Sequence, residues 1–321
     1  MRLLLGRDDV NPDRPSSDGR TPLTVACSNR HEGVVRLLLA GDYFNPGQPD
    51  RPGQGPLWWA CLNGDEGLVS QLLARGNVNA DEPDSLGRTP LWLASLRGHE
   101  RVVSLLLARG DVNPNKPGIR GATPLSQASM SGHEAVVRLL LERDDVNPNQ
   151  PNDVGGTPLL NASSSGHDGI VKLLLAKDDI NPDKPNQWNN TPLFCASSGD
   201  RDGVVRLLLA RDDINPNMPN GLGIAPLCLA CENGHERTVR QLLARDDIKP
   251  DQPNNDGESP LWQACNQGHE GVVRLLLTRD DVDPNKPDNR GQTPLLIASI
   301  RGHMEIVELL EARIAAISSS E

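Results

Sequence analysis

The chain has 321 residues, a formal net charge of −11, and only two Phe, one Tyr and five Trp. That much negative charge disfavours long-range attraction to nucleic acid or to an anionic membrane surface, and no stretch approaches the roughly 18 apolar residues of a membrane span. The core must be aliphatic, and the N-terminus lacks a cleavable signal pattern, so the expected compartment is cytoplasmic, with the nucleus also open.

In chain order, residues 1–14 read as half of a repeating unit. Met1-Arg2-Leu3-Leu4-Leu5-Gly6-Arg7-Asp8-Asp9-Val10 copies a segment that recurs downstream. A repeat array that starts mid-unit with no polar cap exposes an apolar face. Three expectations follow: residues 1–14 fray, or this face offers a surface for association, or the chain is a fragment of a longer protein. Otherwise the chain is expected to be a monomer.

Residues 15–315 read as nine copies of one cassette at an unbroken 34-residue spacing. Its anchor is a Thr-Pro-Leu step at Thr21, Thr89, Thr123, Thr157, Thr191 and Thr293, with altered copies beginning at Gly55, Ala225 and Ser259. A strict period of this size means a solenoid, in which each unit buries its apolar face against its neighbours. The copy at 121–151 shows the physics. Gly121 precedes Thr123 by two, and this column holds Gly in eight copies and Asn189 in the ninth, which predicts a left-handed turn position. Thr123 is a good N-cap and Pro124 fits the first helical position. A short helix follows over about 124–131, with Ala128 in a column that is Ala in all nine copies, allowing close backbone approach. Gly132 stops it, and a second helix carries Val136, Val137, Leu139, Leu140 and Leu141 as an apolar stripe. Asp144 to Pro151 cannot continue a helix, because its two prolines force extended or turn backbone. At the far end, Glu305, Glu308 and Glu311 enter the last long helix, and residues 316–321 read as a polar tail and a natural stop.

The string G-x-T-P-L-x-x-A followed by G-H-E-x-V-V-x-L-L-L resembles the ankyrin repeat, over almost the whole chain. The resemblance implies an all-α solenoid of helix–turn–helix units with extended hairpin fingers. The usual unit is about 33 residues; this 34-residue variant is similar to arrays common in fungal proteins. The His that normally follows Thr-Pro-Leu is replaced by Trp58, Trp92, Trp262, Leu160, Leu296, Phe194, Cys228, Ser126 and Thr24, which implies apolar packing at that position. Two prolines per loop remove hydrogen-bond donors, so the fingers are expected to be irregular.

Little in the sequence can carry chemistry. All seven histidines fall in one column at the start of the second helix, where Asp65 and Arg201 also occur, so they read as turn and capping residues. Cys27, Cys61, Cys231 and Cys265 share a column with Ser and read as small helix residues, not as disulfide halves or metal ligands. Asp281-Val282-Asp283-Pro284-Asn285 copies the opening of a calcium loop, but Lys286 and Gln292 stand where its Gly and Glu should be. No nucleophile–base pair, metal set or phosphate loop is present, so the expectation is no enzyme and no cofactor.

Specificity should lie in the columns that vary. By resemblance, ankyrin arrays dock protein partners on a concave face made of finger tips and the exposed side of the first helix. The candidate binding residues on those columns are Trp59, Leu62, Leu86, Leu96, Arg97, Ile119, Arg120, Met130, Val154, Trp188, Leu222 and Ile224. Tips have little structural reason to carry Trp or Ile, and a contiguous exposed apolar stripe marks a partner site. The chain therefore reads as a non-enzymatic protein–protein interaction scaffold of unidentified partner, binding neither nucleic acid nor membrane. The alternatives are a recognition or sensor array within a larger multidomain protein of immune-receptor type and, more remotely, an enzyme.

Overall fold

The computed structural model describes residues 11, 13–40, 45–47, 50 and 53–318. The half unit expected at 1–14 is thus, apart from residues 11, 13 and 14, outside the described residues, as are residues 319–321 of the expected tail. The described residues contain eighteen α-helices and no strand. They form an all-α repeat solenoid, divided by their contacts into two compact units, residues 1–153 and 154–321.

In the first unit the order is α1 (Pro22–Ser28), α2 (Glu32–Leu39), α3 (Pro56–Asn63), α4 (Glu66–Leu73), α5 (Pro90–Arg97), α6 (Glu100–Leu107), α7 (Pro124–Ser131) and α8 (Glu134–Leu141). The second unit continues with α9 (Pro158–Ser165), α10 (Asp168–Leu175), α11 (Pro192–Ser198), α12 (Asp202–Leu209), α13 (Pro226–Glu232), α14 (Glu236–Leu243), α15 (Pro260–Gln267), α16 (Glu270–Leu277), α17 (Pro294–Arg301) and α18 (Met304–Ser318). The last helix runs to Ser318, beyond the array boundary expected at 315. Within each unit, short helices stack on short helices and the following helices form a second row.

Seven of the nine described short helices start where a Thr or Ser hydroxyl accepts the N–H three residues on; Gly55 and Ala225 head the other two without a side-chain cap. Thr89 Oγ1 takes Trp92 N at 3.1 Å, and Thr191 Oγ1 takes Phe194 N at 3.1 Å. Such a cap contributes about 1 kcal/mol. The next residue is Pro, whose missing N–H costs nothing in the first turn. Left-handed glycines such as Gly98 (φ 73°) and Gly132 (φ 82°) close several of these helices. The finger column also behaves as the sequence predicts: its eight glycines have positive φ, and Asn189 matches them at φ 60°.

The Ala column is fully or almost fully buried in every copy, from Ala26 to Ala298, and brings neighbouring short helices close. Behind it, Val136, Val137 and Leu140 of α8, and the equivalent residues elsewhere, make the aliphatic core. Burying one such side chain contributes about 1.5–3 kcal/mol. The long loops are pinned by a buried branched residue, among them Val112, Val146, Ile214 and Ile248.

Two inter-repeat ties recur. The histidines do not cap their own helices. They reach the preceding unit instead: His99 Nε2 donates to Leu62 O at 3.2 Å, His133 Nε2 to Leu96 O at 2.9 Å, and His269 Nε2 to Glu232 O at 3.0 Å. Each lies over a left-handed Gly of that unit, where any Cβ would collide with the imidazole. The second tie is an Arg clamp. Arg109 forks onto Asp111 (2.8 and 2.6 Å) while its third nitrogen donates to Leu73 O at 3.0 Å, the unsatisfied end of the preceding long helix. Arg143, Arg211, Arg245 and Arg279 repeat the arrangement. These guanidiniums hold Asp111, Asp145, Asp213, Asp247 and Asp281 below the usual carboxylate range.

Candidate functional site

Most of the fingers that precede the short helices are built around one side-chain acceptor, five residues before the Thr column. Asn220 Oδ1 accepts the N–H of Leu222 (2.9 Å) and of Ile224 (3.0 Å). Asn186 does the same for Trp188 and Asn190, Asp84 for Leu86 and Arg88, and Asp288 for Arg290 and Gln292. An Asx side chain thus supplies what a hairpin ladder would, and the prolines leave no strand. One N–H then ties each tip to the next. In the second unit Gln187 N donates to Val154 O, Gly221 N to Trp188 O, and Asn255 N to Leu222 O, at 2.9, 2.9 and 3.3 Å. This chain of bonds sets Val154, Trp188 and Leu222 in one file on consecutive fingers.

In that file Trp188 is 54% exposed and Leu222 65% exposed, the largest apolar exposure among the described residues. Val154 and, beside the file, Ile224 are half-buried, so these two are less open than an exposed tip requires. Next to Ile224 the surface turns acidic. Burial, and then the nearby charge of Glu258, push the Glu232 carboxyl up. Glu258 is itself held by Asn254 Nδ2 at 2.8 Å and Gln263 Nε2 at 2.6 Å.

One finger of the first unit, at 118–122, is organised differently. Gly118 stands where the Asx acceptor should be, so its finger keeps only the backbone bond that the other fingers also make. Gly118 N donates to Ala122 O at 2.9 Å, and a 3-10 turn spans Ile119–Gly121, with Arg120 in the left-handed region at φ 55°. Trp92 occupies the space a side chain at 118 would need; a Cβ there would lie 2.8 Å from its indole nitrogen. That nitrogen donates to Ala122 O at 2.8 Å. Ile119 is consequently not an exposed tip. It packs, half-buried, against a cluster of Trp58, Trp92 and Leu93, together with Trp59, Leu62 and Leu96. Trp58 and Trp59 meet edge to face at 4.8 Å, and the Arg88 guanidinium lies 5.0 Å over the Trp58 ring.

Of the twelve residues nominated from sequence, the structure brings Trp59, Leu62, Leu96 and Ile119 together in this cluster, with Arg97 and Arg120 exposed at its margin. Leu86 (56% exposed) and Met130 (48%) are exposed in the same unit but are not part of the cluster. Trp58, Trp92 and Trp262 pack between repeats as expected, and Leu296 is exposed. Sequence reasoning missed Gly118 and the Arg–Asp clamp. Both carried a signal: a Gly breaking an Asp/Asn-rich column, and an Arg-x-Asp spacing recurring every 34 residues.

A further opening has a simple origin. Between α2 and α4 lies a cleft of about 300 Å³, lined by residues including Cys27, Arg30, Asn63, Asp65 and Leu68. Here the His column holds Asp65, which caps its own helix by accepting Leu68 N at 2.9 Å, so no imidazole reaches back. The left-handed turn residue opposite is Arg30 (φ 57°) rather than Gly.

Reactive groups are suppressed. Burial pushes the thiols of Cys27, Cys228 and Cys265 up to about 12 and that of Cys195 to about 11, so each stays protonated near neutral pH. No group of His, Cys, Asp and Glu among the described residues could hold a metal ion. No helix among them is long and apolar enough to cross a membrane.

A family model described as "Ankyrin repeats (3 copies)" matches residues 1–82, 57–152, 111–186, 144–220, 202–288 and 227–318. No curated protein matches the chain.

Proposed function

Because the chain belongs to the ankyrin-repeat family, whose repeats are generally protein–protein interaction modules, we propose that it is a non-enzymatic scaffold binding a protein partner through its fingers and short helices. One observation carries this reading. Trp188 and Leu222 stand exposed on consecutive fingers whose backbones are fixed by Asn186, Asn220 and the Gly221 N–Trp188 O bond. Apolar side chains held rigidly in water lose little conformational entropy when a partner covers them, and Trp is the commonest binding hot spot. In the first unit the half-buried Trp59 cluster supports a second contact area of the same kind.

Three features argue against other classes. The net charge opposes nucleic acid. The thiols are buried and protonated. The histidines spend their ring nitrogens on inter-repeat ties rather than facing a nucleophile.

The test is a quantitative affinity capture comparing the parent with a Leu86→Ala, Ile119→Ala, Trp188→Ala, Leu222→Ala variant of equal helicity by circular dichroism. The proposal expects proteins that the parent retains and the variant loses. Retention of the same proteins by both would move the binding surface elsewhere.

A further inference from the structure

Resting on that reading, we infer that the Trp59 cluster of the first unit takes an acidic peptide segment bearing an aliphatic or aromatic anchor. The anchor would lie on Trp59, Leu62, Leu96 and Ile119, and partner carboxylates would meet Arg97 and Arg120.

In a chain of net charge −11, most of the described arginines of this unit are held by a carboxylate or by another polar group, as Arg30 is by Asn63 and Arg75 by Leu39 O. Arg88 holds Asp84 at 2.6 Å, Arg101 holds Glu66, Arg109 holds Asp111, Arg138 holds Glu134 and Arg143 holds Asp145. Arg97 and Arg120 have no carboxylate partner among the described residues, and both are exposed. Each directly follows a residue of the cluster, Leu96 and Ile119. The carboxylate nearest this finger is Asp153, whose N–H donates to Arg120 O at 2.9 Å and whose side chain lies against Gly121; it forms no ion pair with Arg120.

The backbone supplies an independent observation. Arg120 occupies a left-handed conformation that a non-Gly residue adopts only at a cost of about 1 kcal/mol or more. In the same finger Ile119 packs against the cluster while Arg120 stays exposed. The site is thus half-buried apolar ground with two unpaired guanidiniums at its edge. Guanidinium forks match carboxylates in a bidentate way, and aromatic, aliphatic and Arg groups together make a hot-spot set. An extended acidic segment fits better than a nucleic acid, because two cations cannot offset the repulsion of the whole chain.

The experiment is a selection of a random peptide display library on the full chain, with an oligo-dT single strand titrated separately. The expected result is enrichment of peptides that pair Asp or Glu with Leu, Phe or Trp. Their affinity should fall at least about tenfold in Arg97→Glu/Arg120→Glu and weaken as salt rises. Arg97→Gln/Arg120→Gly serves as the folding control, since Gly relaxes the strained φ; it should weaken the same peptides to a smaller extent. Enriched peptides that are neutral or basic, or acidic peptides indifferent to both variants, overturn the inference while leaving a protein-binding scaffold standing. Tighter binding of oligo-dT than of any peptide overturns both readings.

Discussion

Two fingers built from the same cassette present different side chains to their surroundings. The finger at 220–224 has Asn220 at its base, which accepts two N–H groups and stands the tip up, so that Leu222 is the most exposed apolar residue described. The finger at 118–122 keeps the same backbone bond, as Asn220 N to Ile224 O does in the other, but has Gly118 in place of the acceptor and packs Ile119 against the Trp92 cluster. Leu222 shares its column with Arg120, which is likewise exposed, and Ile119 shares its column with Gly221, so the two fingers differ in which side chain each sets against its neighbours. The first unit offers a half-buried apolar cluster with arginines at its edge. The second offers a file of standing tips beside a pair of carboxylates.

The sharpest way to break this contrast is to compare two tryptophans. Trp92→Ala should cost about 3–5 kcal/mol, because it empties a buried site and also removes one of the two donors to Ala122 O. Trp188→Ala should change stability by less than about 0.5 kcal/mol, since its side chain stands in solvent. Urea unfolding followed by circular dichroism separates the two. Equal losses would mean that Trp188 is packed and that the standing-tip picture is wrong.

A smaller effect tests the acceptor. Asn220→Ala leaves the N–H groups of Leu222 and Ile224 without their side-chain partner and should cost about 1–2 kcal/mol. Amide exchange at residues 222 and 224 should accelerate, while exchange in the core of α13 should change less. Unchanged exchange at the tip would show that the Asx contact does not hold it.

Much of this was legible in the sequence, and the limit is instructive. The Thr caps, the left-handed Gly and Asn189 column and the buried Ala column are local rules, repeated often enough to be read with one copy as the guide to the next. What escaped were contacts between units some 30 to 37 residues apart: His99 on Leu62 O, Arg109 on Leu73 O, Trp92 on Ala122 O. A column shows that a residue type recurs but not what it touches. The candidate site suffered in the same way. Leu86, Trp188 and Leu222 are as open as their positions suggested, whereas Ile119 is half-buried against the cluster around Trp92, a contact with another unit that its column does not show.

The same column logic yields two stabilising changes. The loop column of Asp183 also holds Asn217, whose amide both accepts from Lys249 N and donates to Asp247 O, each at 2.8 Å. Asp183 accepts from Asn215 N at 2.7 Å but leaves its other oxygen buried without a partner. Asp183→Asn should therefore stabilise by about 1 kcal/mol at neutral pH. Burial raises the Asp183 carboxyl in the folded state, so its protonated form favours folding. The stability this supplies is present below the unfolded value of about 4 and is lost as pH rises through the folded one. The advantage of the variant should accordingly shrink towards pH 3, which unfolding curves at several pH values would show. Smaller still, the Ser129 hydroxyl is buried with no partner in a column that elsewhere holds Cys. Ser129→Cys should raise the unfolding midpoint slightly, by the equivalent of up to about 1 kcal/mol; a lower midpoint would mean that the hydroxyl is satisfied.

The central claim is that partners are met by fingers and short helices, and hydrogen exchange of the chain with and without a captured partner tests it most directly. The account predicts new protection at residues 188–190 and 222–224, or at 59–63, 96–97 and 119–121, with the long helices unchanged. Protection confined to the outer faces of the long helices, around Arg138 and Arg274, would contradict it.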